Sequence, residues 1–378
     1  MPPGSEEHED FEDEEGEEGA DQDDIGPLPS RSMDSPGSTR FARNRKSRVA
    51  DFSAFAPLSA AQHFAQAFEV NVPTRDLLSR VYYTPPKVNV GANEGPGTVV
   101  VCHHGAGYSG LSFACLASAV KDAGEEELGF LAFDARGHGK TTLLSSAESG
   151  EPEPVDFSLA TLAEDLVGLL KTVFPDPSIS PTLLMVGHSM GGSVVVSAVP
   201  ILLSSGYRIV GAAVLDVVEG TAVEALPFMH SFLDKRPEGF QSVEEAISWH
   251  VSGNTIRNAV SARTSVPSTL VASPSSDPAW RWRTPLRSTA PFWDGWYGGL
   301  SSKFLAVRTA RLLILAGAER LDKTLMIGQM QGKFQLVVLG DVGHMLHEDD
   351  PERVAEVLVE FWKRNDRVIA GIKKVGDL

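Results

Sequence analysis

The chain has 378 residues, of which 42% are hydrophobic and 22% charged, so it can bury one large core or divide into two domains. Its net charge is −17, but thirteen acidic residues lie within residues 1–30, which contain no Lys or Arg, and removing those charges leaves −4 for the other 348 residues. This mildly acidic body gives no indication of the basic surface that a nucleic-acid partner requires.

The first 50 residues are predicted to be a disordered tail, acidic and then basic. Residues 1–30 combine few apolar side chains with strong like charge, so burial cannot offset the chain entropy. The basic cluster within residues 40–48 fits either a nuclear localisation signal or neutralisation of the acidic head.

The chain shows neither a signal-peptide pattern nor an apolar run near the ~20 residues of a membrane span. We therefore expect a soluble intracellular protein, cytoplasmic and/or nuclear, with its folded domain over residues 51–378.

From about residue 98 the sequence alternates short apolar runs with helical patterns, which is typical of parallel strands joined by crossover helices. The runs are almost continuously hydrophobic, as in strands covered on both faces. Six strands are predicted, at residues 98–103, 128–133, 182–186, 209–215, 311–316 and 334–339. The expected fold is an α/β fold with a mostly parallel, doubly wound sheet.

Two helices are predicted from apolar residues at helical spacing. The first has a stripe that begins at Leu162, with Asp156 or Ser158 as its N-cap. The second covers residues 351–364, follows Asp350 in the capping position and closes the fold.

Residues 217–303 interrupt the alternation, because they offer helical segments and loops but no convincing strand. We interpret them as an inserted, mainly helical cap. Five of the six Trp lie in this segment, together with Phe292 and Tyr297. These aromatic side chains either pack the cap against the core or line a substrate groove.

The strongest chemical signal is the segment Gly-His-Ser-Met-Gly at residues 187–191, which lies between a predicted strand and a helical stretch. A serine on such a sharp turn adopts a strained backbone, and the small Gly187 and Gly191 let the turn close. Ser189 is therefore the predicted nucleophile of a hydrolase.

A serine hydroxyl needs a base whose pKa lies near neutral pH, most often histidine, and an acid that orients this base. His344 is favoured as the base because it lies in a loop after the last strand, whereas His347 is closer to the closing helix and can cap or solvate it. The acid remains open among Asp216, Glu319 and Asp322, since each follows the end of a predicted strand.

The oxyanion formed during ester cleavage needs backbone N–H donors. One candidate is Met190, directly after the nucleophile. The second donor is expected in the loop after the first predicted strand, at Ala106 or, alternatively, Gly107.

No cofactor is expected. Cys102 and Cys115 are too few for a disulfide framework and lack His partners at zinc-ligand spacing, so both are expected to be buried small apolar residues. His103 and His104 have no further ligand candidates at metal spacing. The Gly-Lys-Thr segment at 139–141 lacks the earlier glycine of a phosphate-binding loop.

Beyond the hydrolase motif, the chain resembles the protein phosphatase methylesterases over about residues 55–365. The most specific segments are Leu-Asp-Val-Val-Glu-Gly-Thr-Ala at 215–222 and Ile-Gly-Gln-Met-Gln-Gly-Lys-Phe at 327–334. The other matching segments lie at residues 55–58, 187–192, 293–296, 320–323 and 343–344. Where the family usually has a run of glycines after the first core strand, this chain has Ala106.

The resemblance implies an α/β-hydrolase fold, with Asp216 as the triad acid and Asp322 as a structural residue. It implies removal of the methyl ester from the C-terminal leucine of the type 2A protein phosphatase catalytic subunit, without a metal or organic cofactor. The cap and neighbouring surface would then dock the phosphatase. Residues 329–334 either belong to that surface or have an apolar half that starts the last strand. The competing interpretations are a small-molecule carboxylesterase of the same fold and a non-catalytic phosphatase-binding protein.

Overall fold

The computed structural model describes residues 52–87, 96–123, 127–145, 155–274, 277–317 and 321–366. The predicted tail over residues 1–50 and the candidate acid Glu319 lie outside these ranges. Within them, no helix combines the length and apolar character needed to cross a membrane.

The described residues contain twelve strands. They are β1 Gln66–Val72, β2 Leu77–Thr84, β3 Thr98–His103, β4 Leu128–Phe133, β5 Thr142–Leu143, β6 Thr182–His188, β7 Ile209–Leu215, β8 Gly239–Phe240, β9 Leu270–Ala272, β10 Trp280–Trp282, β11 Ala310–Ala316 and β12 Gln335–Leu339.

Eight of these strands form the main sheet in the order β1-β2-β4-β3-β6-β7-β11-β12, and β5 pairs with β2. The six strands from β4 to β12 in this order are parallel, whereas β1 and β2 are antiparallel. All six predicted strands are present in this parallel part. Because parallel strands share one direction, their carboxyl ends meet at one edge of the sheet, where α/β folds bind ligands.

Eleven α-helices are described. They are α1 Ala114–Asp122, α2 Leu159–Val173, α3 Met190–Ser204, α4 Glu219–Lys235, α5 Val243–Ser252, α6 Ala259–Ser265, α7 Trp293–Tyr297, α8 Leu300–Ala306, α9 Lys323–Met330, α10 Leu346–Asp349 and α11 Pro351–Asp366.

Side chains of the central strands alternate between two hydrophobic cores, one on each face of the sheet. In β3, Val99 and Val101 belong to one core, and Val100 and Cys102 belong to the other. Helices α2 and α3 cover the first face, and α1 and α11 cover the second. The expectation for cysteine holds for Cys102, which is fully buried, but Cys115 is only partly buried.

The helix predictions agree with the structure at their caps. The Ser158 side chain accepts a hydrogen bond from the Thr161 N–H and caps α2. Asp350 accepts from the Arg353 N–H at 3.1 Å, at the start of α11.

The segment 217–303 is mainly helical, but it also contains the three-stranded antiparallel sheet β8-β10-β9, where no strand was expected. These strands have only two or three residues each, too few to produce a recognisable alternation of apolar side chains. Their aromatic side chains Phe240, Trp280 and Trp282 join a separate small hydrophobic core.

Candidate active site

Ser189 lies on the sharp turn between β6 and α3. Its backbone has φ 52° and ψ −122°, in a region that non-glycine residues rarely adopt. The turn tolerates only glycine on both sides of the serine: a Cβ on Gly187 would lie 2.2 Å from the Gly191 carbonyl oxygen, and one on Gly191 would lie 2.2 Å from the His103 carbonyl oxygen. The Ser189 N–H donates to the Leu215 carbonyl at 3.0 Å, which ties the strained turn to β7.

Asp216 and His344 meet although 128 residues separate them in the chain. Asp216 follows β7, and its Oδ2 lies 2.7 Å from His344 Nδ1. The other carboxylate oxygen, Oδ1, accepts from the Ala316 N–H at 2.7 Å, so the end of β11 fixes the orientation of the carboxylate. The Asp216 side chain is buried, whereas the His344 side chain is 54% exposed. A carboxylate in this position fixes the imidazole tautomer and leaves Nε2 free to take a proton.

The other candidates from the sequence occupy different environments. Asp322 caps α9, because its Oδ1 accepts from the Leu325 N–H at 3.0 Å and its Oδ2 accepts from the Ser301 hydroxyl. His347 neither caps nor solvates the closing helix: it is fully buried, stacks on Phe113, and its ring nitrogens have no hydrogen-bond partner among the described residues.

The loop after β3 lies against the candidate nucleophile. A Cβ on Gly105 would lie 3.3 Å from the Ser189 Cβ. The Gly107 N–H donates to His138 Nε2 at 3.0 Å and is therefore engaged within the protein. The Ala106 N–H has no partner among the described residues. Met190 is the first residue of α3, and the first N–H groups of a helix have no partner within the helix.

Buried histidines support this loop through the backbone. His104 Nδ1 donates to the Gly105 carbonyl at 2.7 Å, and its Nε2 accepts from the Ala135 N–H at 3.0 Å. His138 Nδ1 donates to the Arg136 carbonyl at 2.8 Å, while its Nε2 accepts from Gly107. Burial lowers the pKa of His138 to about 4 and that of His104 well below its usual range. Both rings are thus neutral and have one donor and one acceptor nitrogen in use.

Two side chains, those of Asp349 and His188, hold the loop that carries His344. Asp349 Oδ2 accepts from the Gly343 N–H at 2.7 Å, and its Oδ1 accepts from the Arg257 N–H at 2.7 Å. The His188 Nε2 donates to the His344 carbonyl at 2.8 Å. The histidine loop is therefore fastened on both sides of the side chain that reaches Asp216.

A cavity of about 390 Å³ opens at this point, and Ser189, Asp216 and His344 all line it. Helix α4 forms a further wall, mostly apolar, with Thr221, Ala222, Ala225 and Met229, and Tyr297 from α7 completes the lining together with Val217 and Val218. The Tyr297 hydroxyl faces the candidate nucleophile. Burial raises the pKa of this hydroxyl, and the nearby Ser189 side chain lowers it.

Some aromatic residues of the segment 217–303 pack in the main core, and Tyr297 lines the cavity. Trp293 and Trp296 are buried in the main core, and their indole N–H groups donate to the Thr289 hydroxyl at 2.9 Å and to the Phe157 carbonyl at 2.7 Å. Tyr297 lines the cavity. From the sequence alone, Tyr297 could not be separated from its neighbours, since its contact with Ser189 depends on tertiary structure.

Comparison with known proteins identifies the family. The model of the alpha/beta hydrolase family matches residues 100–357. Protein phosphatase methylesterase 1 of Cryptococcus neoformans var. neoformans serotype D is 51% identical, covering 86% of this chain and 82% of that protein. The proteins of the same name from Gibberella zeae and Yarrowia lipolytica are 47% and 42% identical, over 80% and 83% of this chain and 73% and 74% of their own lengths.

Solved structures agree on the fold. E-2-(acetamidomethylene)succinate hydrolase superposes with a TM-score of 0.59 at 16% identity, over 79% of this chain and 99% of that one. An esterase of Mycobacterium tuberculosis gives a TM-score of 0.54 at 17% identity, over 79% and 92%. From the family match and the identity to its relatives, this chain belongs to the protein phosphatase methylesterase family of α/β hydrolases and is a carboxylic ester hydrolase.

Proposed function

We propose that this methylesterase removes the methyl ester from the C-terminal leucine of the type 2A protein phosphatase catalytic subunit, by acyl transfer through Ser189. The observation that carries the proposal is the 2.7 Å contact of Asp216 with His344, in a cavity that Ser189 also lines. In the proposed mechanism, Ser189 is the nucleophile, His344 is the general base, and Asp216 orients and stabilises the imidazole.

Acylation begins when the Ser189 Oγ attacks the ester carbonyl carbon and its proton passes to His344 Nε2. The N–H groups of Met190 and Ala106 stabilise the oxyanion of the tetrahedral intermediate. The intermediate then collapses: His344 gives its proton to the methoxy oxygen, methanol leaves, and the leucine carbonyl stays bound to Ser189 as an ester.

Deacylation repeats these steps with water as the nucleophile. His344 takes a proton from the water, the second tetrahedral intermediate forms in the same oxyanion site, and the proton returns to the Ser189 Oγ. The product is a free C-terminal carboxylate. Each step uses only side chains, backbone N–H groups and water.

Two observations support the substrate. The relatives at 42–51% identity are named for a phosphatase methylesterase activity. The wall that α4 contributes includes Ala222, Ala225 and Met229, and an apolar wall suits the side chain of a leucine ester.

A protein ester also needs a surface on which the rest of the substrate can lie. We assign this role to the segment 217–303, as a cap on the hydrolase domain, and above all to the outer face of α4. Phe228 and Phe232, one helical turn apart, are each 64% exposed on the same helix that lines the cavity. Exposed aromatic side chains are typical of a protein-binding site.

The test is methanol release from the methylated phosphatase by the unmodified enzyme and by Ser189→Ala. We expect the substitution to lower kcat by about 10⁶-fold, because it removes the hydroxyl that forms the acyl-enzyme in the proposed mechanism. Ser193→Ala is the matched control: this serine is buried in α3, its hydroxyl has no partner among the described residues, and its loss should leave kcat unchanged. Activity on a small aryl ester without methanol release from the phosphatase would overturn the substrate, and demethylation by Ser189→Ala would overturn the mechanism.

A further inference from the structure

His188 precedes the candidate nucleophile in the chain, but its side chain points into the protein. The residue is 1% exposed, and its Nε2 lies 2.8 Å from the His344 carbonyl oxygen. Because a carbonyl oxygen can only accept, Nε2 must carry the hydrogen and donate it. This bond joins the end of β6 to the loop of the candidate base, 156 residues further along the chain.

The same imidazole contacts two more parts of the site. Its ring centroid lies 4.6 Å from that of His344 and 4.5 Å from that of His347. A Cβ on Gly105 would lie 2.8 Å from His188 Nδ1, so the ring packs directly on the loop of the candidate oxyanion donor. One side chain therefore touches the nucleophile turn, the base loop and the oxyanion loop.

The His188 ring is neutral, which is compatible with a structural role beside His344. Burial lowers its pKa well below the usual range, and the neighbouring His347 and His344 also disfavour the cation. A neutral ring keeps the hydrogen bond to the carbonyl while it places no positive charge beside His344 when that residue accepts a proton.

We propose that His188 is a positioning residue for ester cleavage, and that its bond to the His344 carbonyl holds the base loop in register with Ser189 and the oxyanion loop. The inference rests on the proposed roles of Ser189 and His344. Because His188 is not among the described residues that line the cavity, its loss should change kcat and leave KM unaltered.

The test compares His188→Gln with His188→Asn on a small aryl ester. The amide nitrogen of Gln reaches about the position of Nε2, whereas that of Asn is one methylene short. We expect kcat to fall about tenfold in His188→Asn, the loss typical of one hydrogen bond, and to stay within about threefold of the unmodified value in His188→Gln. KM should change less than twofold in both variants. Melting temperatures show whether each variant is folded, and titration of active sites with a fluorophosphonate corrects kcat for any unfolded fraction.

His347→Phe is the matched control, because it replaces the next ring of the same stack, whose nitrogens have no partner among the described residues. Its kcat should equal that of the unmodified enzyme. Equal kcat values for the Gln and Asn variants, a change confined to KM, or an equal loss in His347→Phe would overturn the inference. Fluorophosphonate labelling of Ser189→Ala distinguishes failure of this inference from failure of the proposed function. If this variant were still labelled, Ser189 would not be the nucleophile, whatever the role of His188.

Discussion

The carboxyl edge of the sheet and helix α4 are two walls of one cavity, but they are built differently. At the sheet edge, Asp216 is buried and accepts two hydrogen bonds, and the loop of His344 is fastened by His188 and Asp349. In α4, no residue is fully buried, and the helix exposes large aromatic side chains to solvent.

This difference separates two requirements of an esterase that acts on a protein. Bond cleavage needs groups held within a fraction of an ångström, which hydrogen bonds to buried residues such as Asp216 provide. Recognition of a large partner needs exposed apolar surface, which a packed core cannot offer. The sheet edge therefore carries the hydrogen-bonded groups of the candidate site, and α4 carries exposed aromatic side chains.

The largest effect is expected from Asp216→Asn at the sheet edge, the hydrogen-bonded wall of the cavity. The Asn side chain can keep the bond to the Ala316 N–H, but its amide favours the wrong tautomer of His344, so we expect kcat to fall by about 10⁴-fold. The measurement is kcat on an aryl ester and on the methylated phosphatase, and both should fall together. A loss below tenfold on either substrate would mean that a different carboxylate supports the base.

The double substitution Phe228→Ser and Phe232→Ser tests the other wall. We expect KM for the methylated phosphatase to rise about tenfold, because two exposed aromatic contacts are lost, while kcat and KM for the aryl ester stay unchanged. Ile179→Ser is the control, since this residue is 74% exposed in the connection before β6, at the opposite edge of the sheet. An equal rise of KM in the control would show that any loss of surface hydrophobicity has this effect.

Asp322→Ala gives the smallest expected effect and tests a carboxylate that lies beside α4. A Cβ on Gly220 of α4 would lie 3.2 Å from the Asp322 Cβ. Because Asp322 caps α9, we expect the free energy of unfolding to fall by about 1 kcal/mol. Denaturant unfolding measures this change, and kcat should stay within twofold. A large loss of kcat with unchanged stability would return Asp322 to the candidates for the triad acid.

The parallel part of the sheet could be predicted because each buried strand is an unbroken apolar run, and residues 98–103 match β3 at both ends. Strands β1 and β2 were missed. Only two of the seven residues of β1 are buried, so this edge strand has no apolar run to detect.

Some residues of the candidate site could be predicted from local sequence patterns, whereas others depend on tertiary contacts. Ser189 is visible in the sequence because its turn is a local pattern of strand, serine and helix. Asp216, Glu319 and Asp322 could not be separated from the residues alone, since all three follow strand ends, and the family resemblance favoured Asp216. The contact of His188 with the His344 carbonyl and the exposed face of α4 depend on which surfaces meet after folding, so no local pattern could indicate them.

The backbone at the two neighbouring strand ends has a consequence for engineering of this enzyme. Ser189 and Asp216 have φ values of 52° and 51°, so both lie in the left-handed region. Such residues cost about 1–3 kcal/mol each and are the first targets when a protein is made more heat-resistant by relief of backbone strain. In this chain that strategy would replace the proposed nucleophile and its proposed acid, so relief of backbone strain should be directed to Asp76, Asn254 and Asp341, the other described non-glycine residues with positive φ.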